Sequence, residues 1–282
     1  MPAADCTVDV QGIPVHVVER GAGTPIVLVH GWSADHRYMV ADLDGLLEAH
    51  GGWRRVYVDL PGHGTTPAPE WLSTQDQMLS IVGEVIDVVV PDERIALVGS
   101  SYGGHVAIGL SRLVPQRLLG VCLVVPDMPS PQNTRLPEPS AVFAEDAAFG
   151  SLADDEQWMR DALVVREGWM LDELRDHDAP AYAAADYAFL ERLDAAYIPT
   201  GAAGRAGEPF TGPSLVVCGR QDATTGFRGA WSLVDELPRA TFAVLDLAGH
   251  QLGRVERPVL FGALVTDWLD RLRSVSPRRP GA

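Results

Sequence analysis

A mostly parallel β-sheet with helices on both faces, and a helical segment inserted late in the sheet, is the fold class that the sequence predicts. Three observations carry that prediction. Short β-branched apolar runs recur along the chain, each bounded by turn residues, as strands buried on both faces do. Segments with helical spacing of apolar residues separate those runs, and strand alternating with helix argues for parallel pairing. One run leads directly into Gly99-Ser100-Ser101-Tyr102-Gly103 and then into a helical segment.

The elements follow in order. From Cys6 to Val18 the chain alternates as two short strands broken at Gly12, which predicts an antiparallel hairpin. The buried-strand runs are PIVLVH (25–30), RRVYVDL (54–60), RIALVGS (94–100), LLGVCLVV (118–125), SLVVCG (214–219) and TFAVLDL (241–247). With the hairpin they predict a sheet of eight strands. Helical periodicity covers Asp35 to Glu48, Thr74 to Val90, Tyr102 to Leu113, Phe227 to Leu237 and Arg257 to Leu272.

Residues 128–207 break the rhythm. PDMPSPQNTRLPEPS is rich in Pro, Ser and Asn, and the remainder is acidic and aromatic, carrying Trp158, Trp169, Tyr182, Tyr187 and Phe189. The stretch predicts a helical lid, which divides the chain into a core of residues 1–127 and 208–282 and a cap of residues 128–207. GAAGRAGEP (201–209) reads as the returning loop, and SPRRPGA as a frayed tail.

At 282 residues, 46% hydrophobic and 21% charged, the chain can fill one large soluble domain. A formal charge of −16 repels phosphate backbones, so nucleic acid is not an expected partner. Cys6, Cys122 and Cys218 lack CxxC spacing, and two lie in strand runs, so they read as small core residues in a reducing compartment. The N-terminus has neither a basic region nor an apolar stretch, and no run reaches membrane-spanning length. A cytoplasmic protein with no membrane partner is the expectation.

The chemistry starts at the strand–turn–helix around Ser101. A turn that tight clashes with side chains, hence glycines at 99 and 103, and it lifts the hydroxyl toward a helix N-terminus that favours developing negative charge. A serine hydroxyl near neutral pH needs a base. His250, in AGHQLG after the last strand run, is placed for it, and Asp222, in GRQD after SLVVCG, is placed to orient the imidazole. Asp127, just past the preceding strand, is the rival acid, while Asp246 lies within its strand and reads as structural. The amides of Tyr102 and Trp32 are the candidate oxyanion donors. His30, Trp32, Met128, Trp158, Trp169 and Tyr187 are candidate pocket residues.

These motifs, VHGW (29–32), DLPGHG (59–64), GSSYGG (99–104), GRQD (219–222) and GHQ (249–251), resemble the α/β-hydrolase superfamily in order and spacing along nearly the whole chain. The resemblance implies the α/β-hydrolase fold, a lid between the sixth and seventh strands, and neither metal nor organic cofactor. It also implies that Asp59 and His63 in DLPGHG are architectural. Serine at the elbow, where dehalogenases and epoxide hydrolases carry Asp, points away from both.

The first functional reading is a serine hydrolase of the carboxylesterase or lactonase kind. It would cleave a small, largely apolar ester, lactone or related carbonyl compound through an acyl-enzyme on Ser101. The alternatives on the same scaffold are a C–C bond hydrolase, lyase or cyclase, and a non-catalytic ligand-binding member.

Overall fold

Valine, isoleucine and leucine fill the strand runs because both faces of each central strand are covered. In the computed structural model, which describes residues 4–128, 136, 145–205 and 207–275, these runs form one eight-stranded sheet in the order β1-β2-β4-β3-β5-β6-β7-β8. β1 (Ala4–Val10) and β2 (Ile13–Gly21) make the expected antiparallel hairpin. Its two-residue turn, Gln11-Gly12, has positive φ at both positions, 54° and 78°, the geometry whose twist suits adjacent strands. β2 pairs antiparallel with β4 (Trp53–Val58). The remaining pairings are parallel and join β3 (Thr24–Val29), β4, β5 (Ile95–Ser100), β6 (Leu118–Val124), β7 (Ser214–Gly219) and β8 (Ala240–Leu245).

Alternate residues of one strand serve opposite cores. Val27 and Val29 of β3 pack with Met78, Leu79, Val82 and Val85 of the helix Gln75–Val89, and with the helix Tyr102–Leu113. Ile26 and Leu28 pack on the other face with Phe261, Val265, Trp268 and Leu272 of the helix Pro258–Val275. No helix among the described residues is long and apolar enough to cross a membrane. Cys122 and Cys218 are buried free thiols inside β6 and β7.

Two elements differ from expectation. The periodicity from Phe227 to Leu237 yields only the short helix Arg228–Trp231. Beyond it Leu233, Val234 and Glu236 bond three residues back, and the Ser232 hydroxyl donates to the Gly229 carbonyl at 2.7 Å, competing with the helix ladder. β8 ends at Leu245, so Asp246 stands exposed beyond the strand, where it accepts a 2.7 Å hydrogen bond from Gln221.

Between β6 and β7 lies a run of short helices, from Ala147–Ser151 to Ala202–Gly204, with its own apolar cluster of Phe149, Met159, Met170, Leu171 and Leu174. Phe189, Leu190 and Leu193, from the helix Tyr187–Asp194, pack instead into the main core. Of the Pro-rich stretch only Pro126, Asp127, Met128 and Leu136 are described, and its remainder and the tail SPRRPGA lie outside the described residues.

This segment is tied to the sheet domain by Arg254. The guanidinium meets Asp42 at 2.8 Å and Glu173 at 3.2 Å, and it also bonds Asp178. One cation cannot balance the buried carboxylates of Asp42 and Asp178 together with the partly exposed one of Glu173. Burial pushes the Asp178 carboxyl up to about 7, against the pull of Arg254 and with the push of Asp42. A carboxyl raised in the folded state holds a proton that the unfolded chain has lost, so its contribution to stability falls as pH rises from about 4 to about 7. Asp178→Asn, which mimics the protonated form, is expected to flatten that fall by on the order of 2 kcal/mol. Thermal unfolding of both proteins at pH 5 and pH 8 checks it, and an unchanged pH dependence refutes it.

Candidate active site

The parallel strands point their carboxyl ends to one edge, where loops carry the groups that the sequence singles out. After β5 the backbone of Ser101 adopts φ 53° and ψ −117°, a conformation that costs a non-glycine residue about 1–3 kcal/mol. Hydrogen bonds hold it there. The Ser101 N–H donates to the Val124 carbonyl at 2.9 Å, and its own carbonyl accepts the Gly104 and Asp127 amides at 2.9 and 3.0 Å. A Cβ at Gly99 would lie 2.1 Å from the Gly103 carbonyl oxygen, and one at Gly103 would lie 2.2 Å from that of Val29. Neither position has room for a side chain.

Two further loops meet beside it. At Gly219, which ends β7, a Cβ would lie 2.2 Å from the Gly249 carbonyl oxygen, so the GRQD loop presses directly on the loop that carries His250. Asp222 is fully enclosed, and its Oδ2 lies 2.9 Å from His250 Nδ1. The Asp222 oxygens also accept the Thr224 amide at 2.8 Å, the Thr225 amide at 3.1 Å and the Thr225 hydroxyl at 2.9 Å. Burial pushes this carboxyl up, but the His250 charge and hydrogen bond, with the threonine amides, outweigh it and hold it low. The same pairing raises the His250 pKa although burial alone would lower it.

Asp127, the rival acid, is engaged elsewhere: the Tyr197 hydroxyl donates to its Oδ2. Its charge still reaches His250, as a lesser contribution than that of Asp222.

Ser101 and His250 line one cavity of about 230 Å³, together with Trp32, Tyr38, Trp158, Tyr182 and Gln251. A wider vestibule of about 620 Å³ lies against it, shares Trp32, Trp158 and Tyr182, and adds Ser33, Asp155 and Tyr187. The turn after β3 approaches the elbow so closely that a Cβ at Gly31 would sit 3.1 Å from the Ser101 Cβ. The Trp32 indole then stacks edge-on against the Tyr102 ring, with centroids 4.9 Å apart. Trp32 and Tyr102, the residues that carry the candidate oxyanion amides, therefore lie beside Ser101, and the Tyr102 amide, first in its helix, has no acceptor within that helix.

The sequence profile of the Alpha/beta hydrolase family matches residues 26–277. The chain belongs to that family. It is 26% identical to a 2-hydroxy-6-oxononadienedioate/2-hydroxy-6-oxononatrienedioate hydrolase of Cupriavidus pinatubonensis, with 90% of each chain covered. It is 27% identical to a pimeloyl-[acyl-carrier protein] methyl ester esterase of Neisseria meningitidis, covering 87% of this chain and 93% of that one. A dihydrolipoyllysine-residue acetyltransferase component of the acetoin cleaving system of Cupriavidus necator is 38% identical over 119 residues, and there the chain spans 31% of the relative's length. Among solved structures, an alpha/beta superfamily hydrolase from Oenococcus oeni superposes with a TM-score of 0.82 at 23% identity, covering 92% of this chain and 96% of that one.

Within this α/β-hydrolase the expected pocket residues divide. Trp32 and Trp158 line both chambers, and Tyr187, 57% exposed, lines only the vestibule. Met128 does not line them, because it is buried in the main core with Phe189 and Leu190. Trp169 is half exposed and donates to Glu167 at 2.6 Å, away from either chamber. His30 is fully buried beneath the turn: its Nε2 accepts the Leu60 amide at 3.0 Å, which leaves Nδ1–H to donate to the Gly31 carbonyl at 2.8 Å. Burial keeps that imidazole neutral, and it braces the loop without facing the cavity.

Tyr38, Tyr182, Thr224 and Gln251 are lining residues that the motifs did not indicate. Gln251 and Thr224 are sequence neighbours of His250 and Asp222, so loop adjacency was an available signal; Tyr182 stands among the lid aromatics without a motif, and nothing in the sequence marks Tyr38.

DLPGHG works as a brace. Asp59 accepts the His36 amide at 2.7 Å and His36 Nδ1 at 2.9 Å, and it meets His16 Nδ1 at 2.9 Å, which ties the hairpin to the turn after β4. His16, His36 and Asp59 are the group of described residues with metal-ligand spacing, and none of them lines either chamber.

Proposed function

We propose that this α/β-hydrolase cleaves a small, uncharged, largely apolar ester, lactone or related carbonyl compound through an acyl-enzyme on Ser101. The observation that carries the proposal is the cavity shared by Ser101 and His250, with the far nitrogen of that histidine bonded to a buried aspartate. Because Asp222 takes Nδ1–H, Nε2 is left to accept the serine proton. The Ser101 Oγ then bonds the substrate carbonyl carbon, and the Trp32 and Tyr102 amides receive the oxyanion. His250 passes its proton to the leaving oxygen as that bond breaks. A water, deprotonated by His250, attacks the acyl carbon and releases the acid, and the proton returns to Ser101.

Substrate charge separates this reading from the C–C hydrolase that the Cupriavidus pinatubonensis relative suggests. That relative is named for dicarboxylate substrates, which call for guanidinium partners. Among the described residues no arginine lines the cavity or the vestibule, every one of the chain's 22 Lys+Arg residues is an arginine, and the vestibule contributes Asp155 instead. An enclosed carboxylate without a partner is costly. A short neutral p-nitrophenyl ester is therefore expected to exceed its carboxylate-terminated isostere in kcat/KM by about 10²-fold, and the reverse order would favour the C–C reading. The decisive test is incubation with a fluorophosphonate followed by peptide mass spectrometry. An adduct on Ser101 supports the mechanism, and an unlabelled protein without ester turnover removes it.

A further inference from the structure

Glu256 is a buried acid that the steps above do not use. It ends the π-helical turn Leu252–Glu256, six residues past His250, and is only 8% exposed. A carboxylate that deep needs partners. It finds them in two parts of the molecule: Oε1 accepts the amides of Val164 at 2.7 Å and Val165 at 3.3 Å, both in the lid, and Oε2 accepts the amide of Gly249 at 2.6 Å. Gly249 directly precedes His250.

The contact is close on every side. A Cβ at Gly249 would lie 2.9 Å from Val164 Cγ2, 3.4 Å from the Ala162 carbonyl oxygen and 3.4 Å from Glu256 Oε2. The lid backbone, the histidine loop and the carboxylate thus form one packed junction. Trp158 and Ala162, which line the cavity, lie on the short helix Gln157–Ala162 that leads into it.

We propose that Glu256 is a positioning residue that makes docking of the lid and placement of His250 a single event. The proposal rests on the triad reading above. If the lid segment lifts away, two amides leave the carboxylate, and the loop holding His250 loses the anchor that fixes its distance to Ser101. A displaced base is expensive, since misplacement by about 1 Å can cost about 10²-fold in rate. The carboxylate also faces His250 electrostatically and helps keep it basic, alongside Asp222 from the loop after β7 and Asp127 from the loop after β6. Burial holds Glu256 itself up at about 6, against the pull of the Val164, Gly249 and Val165 amides and with the push of Asp222.

The test compares wild type with Glu256→Gln and Glu256→Asp. Glutamine keeps the volume but turns a donor toward a donor at one end of the clasp; aspartate keeps the charge but falls one methylene short. Turnover of p-nitrophenyl butyrate across pH, the rate of fluorophosphonate labelling at Ser101 and the thermal midpoint are measured together. The glutamine variant is expected to lose about 10- to 100-fold in kcat and in labelling rate with KM nearly unchanged, while still unfolding cooperatively. The acid limb of its pH profile moves to lower pH, because His250 has lost a neighbouring negative charge. Aspartate is expected to restore the limb but not the rate. If Glu256→Gln fails to fold, Glu256→Asp alone decides by its kcat and labelling rate. A wild type that labels, with variants within twofold of it and an unmoved limb, overturns the positioning role alone. A wild type that neither labels nor turns over overturns the triad reading first.

Discussion

Ser101→Ala is expected to lower kcat on a neutral ester by about 10⁶-fold and to abolish fluorophosphonate labelling, while KM changes little. The size follows from what alanine removes. Nucleophile, proton donor and covalent intermediate vanish together, and the oxyanion amides remain only to polarise a carbonyl for bulk water. The fold should be indifferent, because the strained turn is held by the Ser101 backbone groups and by Gly99 and Gly103, not by the hydroxyl. Unfolding midpoints within a degree or two of wild type, measured alongside, separate lost chemistry from lost structure. Residual turnover within about 10²-fold of wild type would place the chemistry elsewhere, and a base acting directly on substrate from His250 would then be the better account.

The parts of this chain that could be read in advance are those where backbone geometry dictates residue identity. Gly99 and Gly103 are glycine because a Cβ at either would enter a carbonyl oxygen, so the elbow declares itself. Strands covered on both faces must be apolar throughout, which is why the parallel strands stand out as apolar runs separated by helical segments, while the antiparallel hairpin shows instead by its alternation. Side chains of the lid obey no such rule. Trp158, Trp169 and Met128 look alike as candidates, yet one lines the cavity, one lies half exposed on the surface and one sits in the core. Only tertiary contacts distinguish them, and helical spacing is compatible with all three. The helix expected from Phe227 to Leu237 failed for a local reason instead: the periodicity was present, but Gly229 and Ser232 weaken a ladder that Pro238 cannot continue. Asp127 and Asp222 both follow strands, and chain order favours Asp222, in GRQD after SLVVCG, while leaving Asp127 as a rival. Tyr197, seventy residues from Asp127 in the chain, makes the difference by engaging one of them.

That difference sets the last expectation. Asp222→Asn should cost about 10⁴ in kcat, as the corresponding change does in serine proteases, because an amide presents the wrong hydrogen-bond pattern to Nδ1 and withdraws the charge that stabilises the imidazolium. Asp127→Asn should stay within about tenfold of wild type, since what it loses is a hydrogen bond from Tyr197 rather than the histidine's partner. The pH profile adds a signed test. His250 acts as a base only when neutral, and its pairing with Asp222 raises its pKa above the ordinary 6.5, so the wild-type rate should climb through a limb lying above that value. Removing the charge at 222 lets burial dominate, and the limb should move to lower pH even as the plateau collapses. A large loss confined to Asp127→Asn, with Asp222→Asn nearly active, would reverse the assignment and make the loop after β6 the source of the orienting acid.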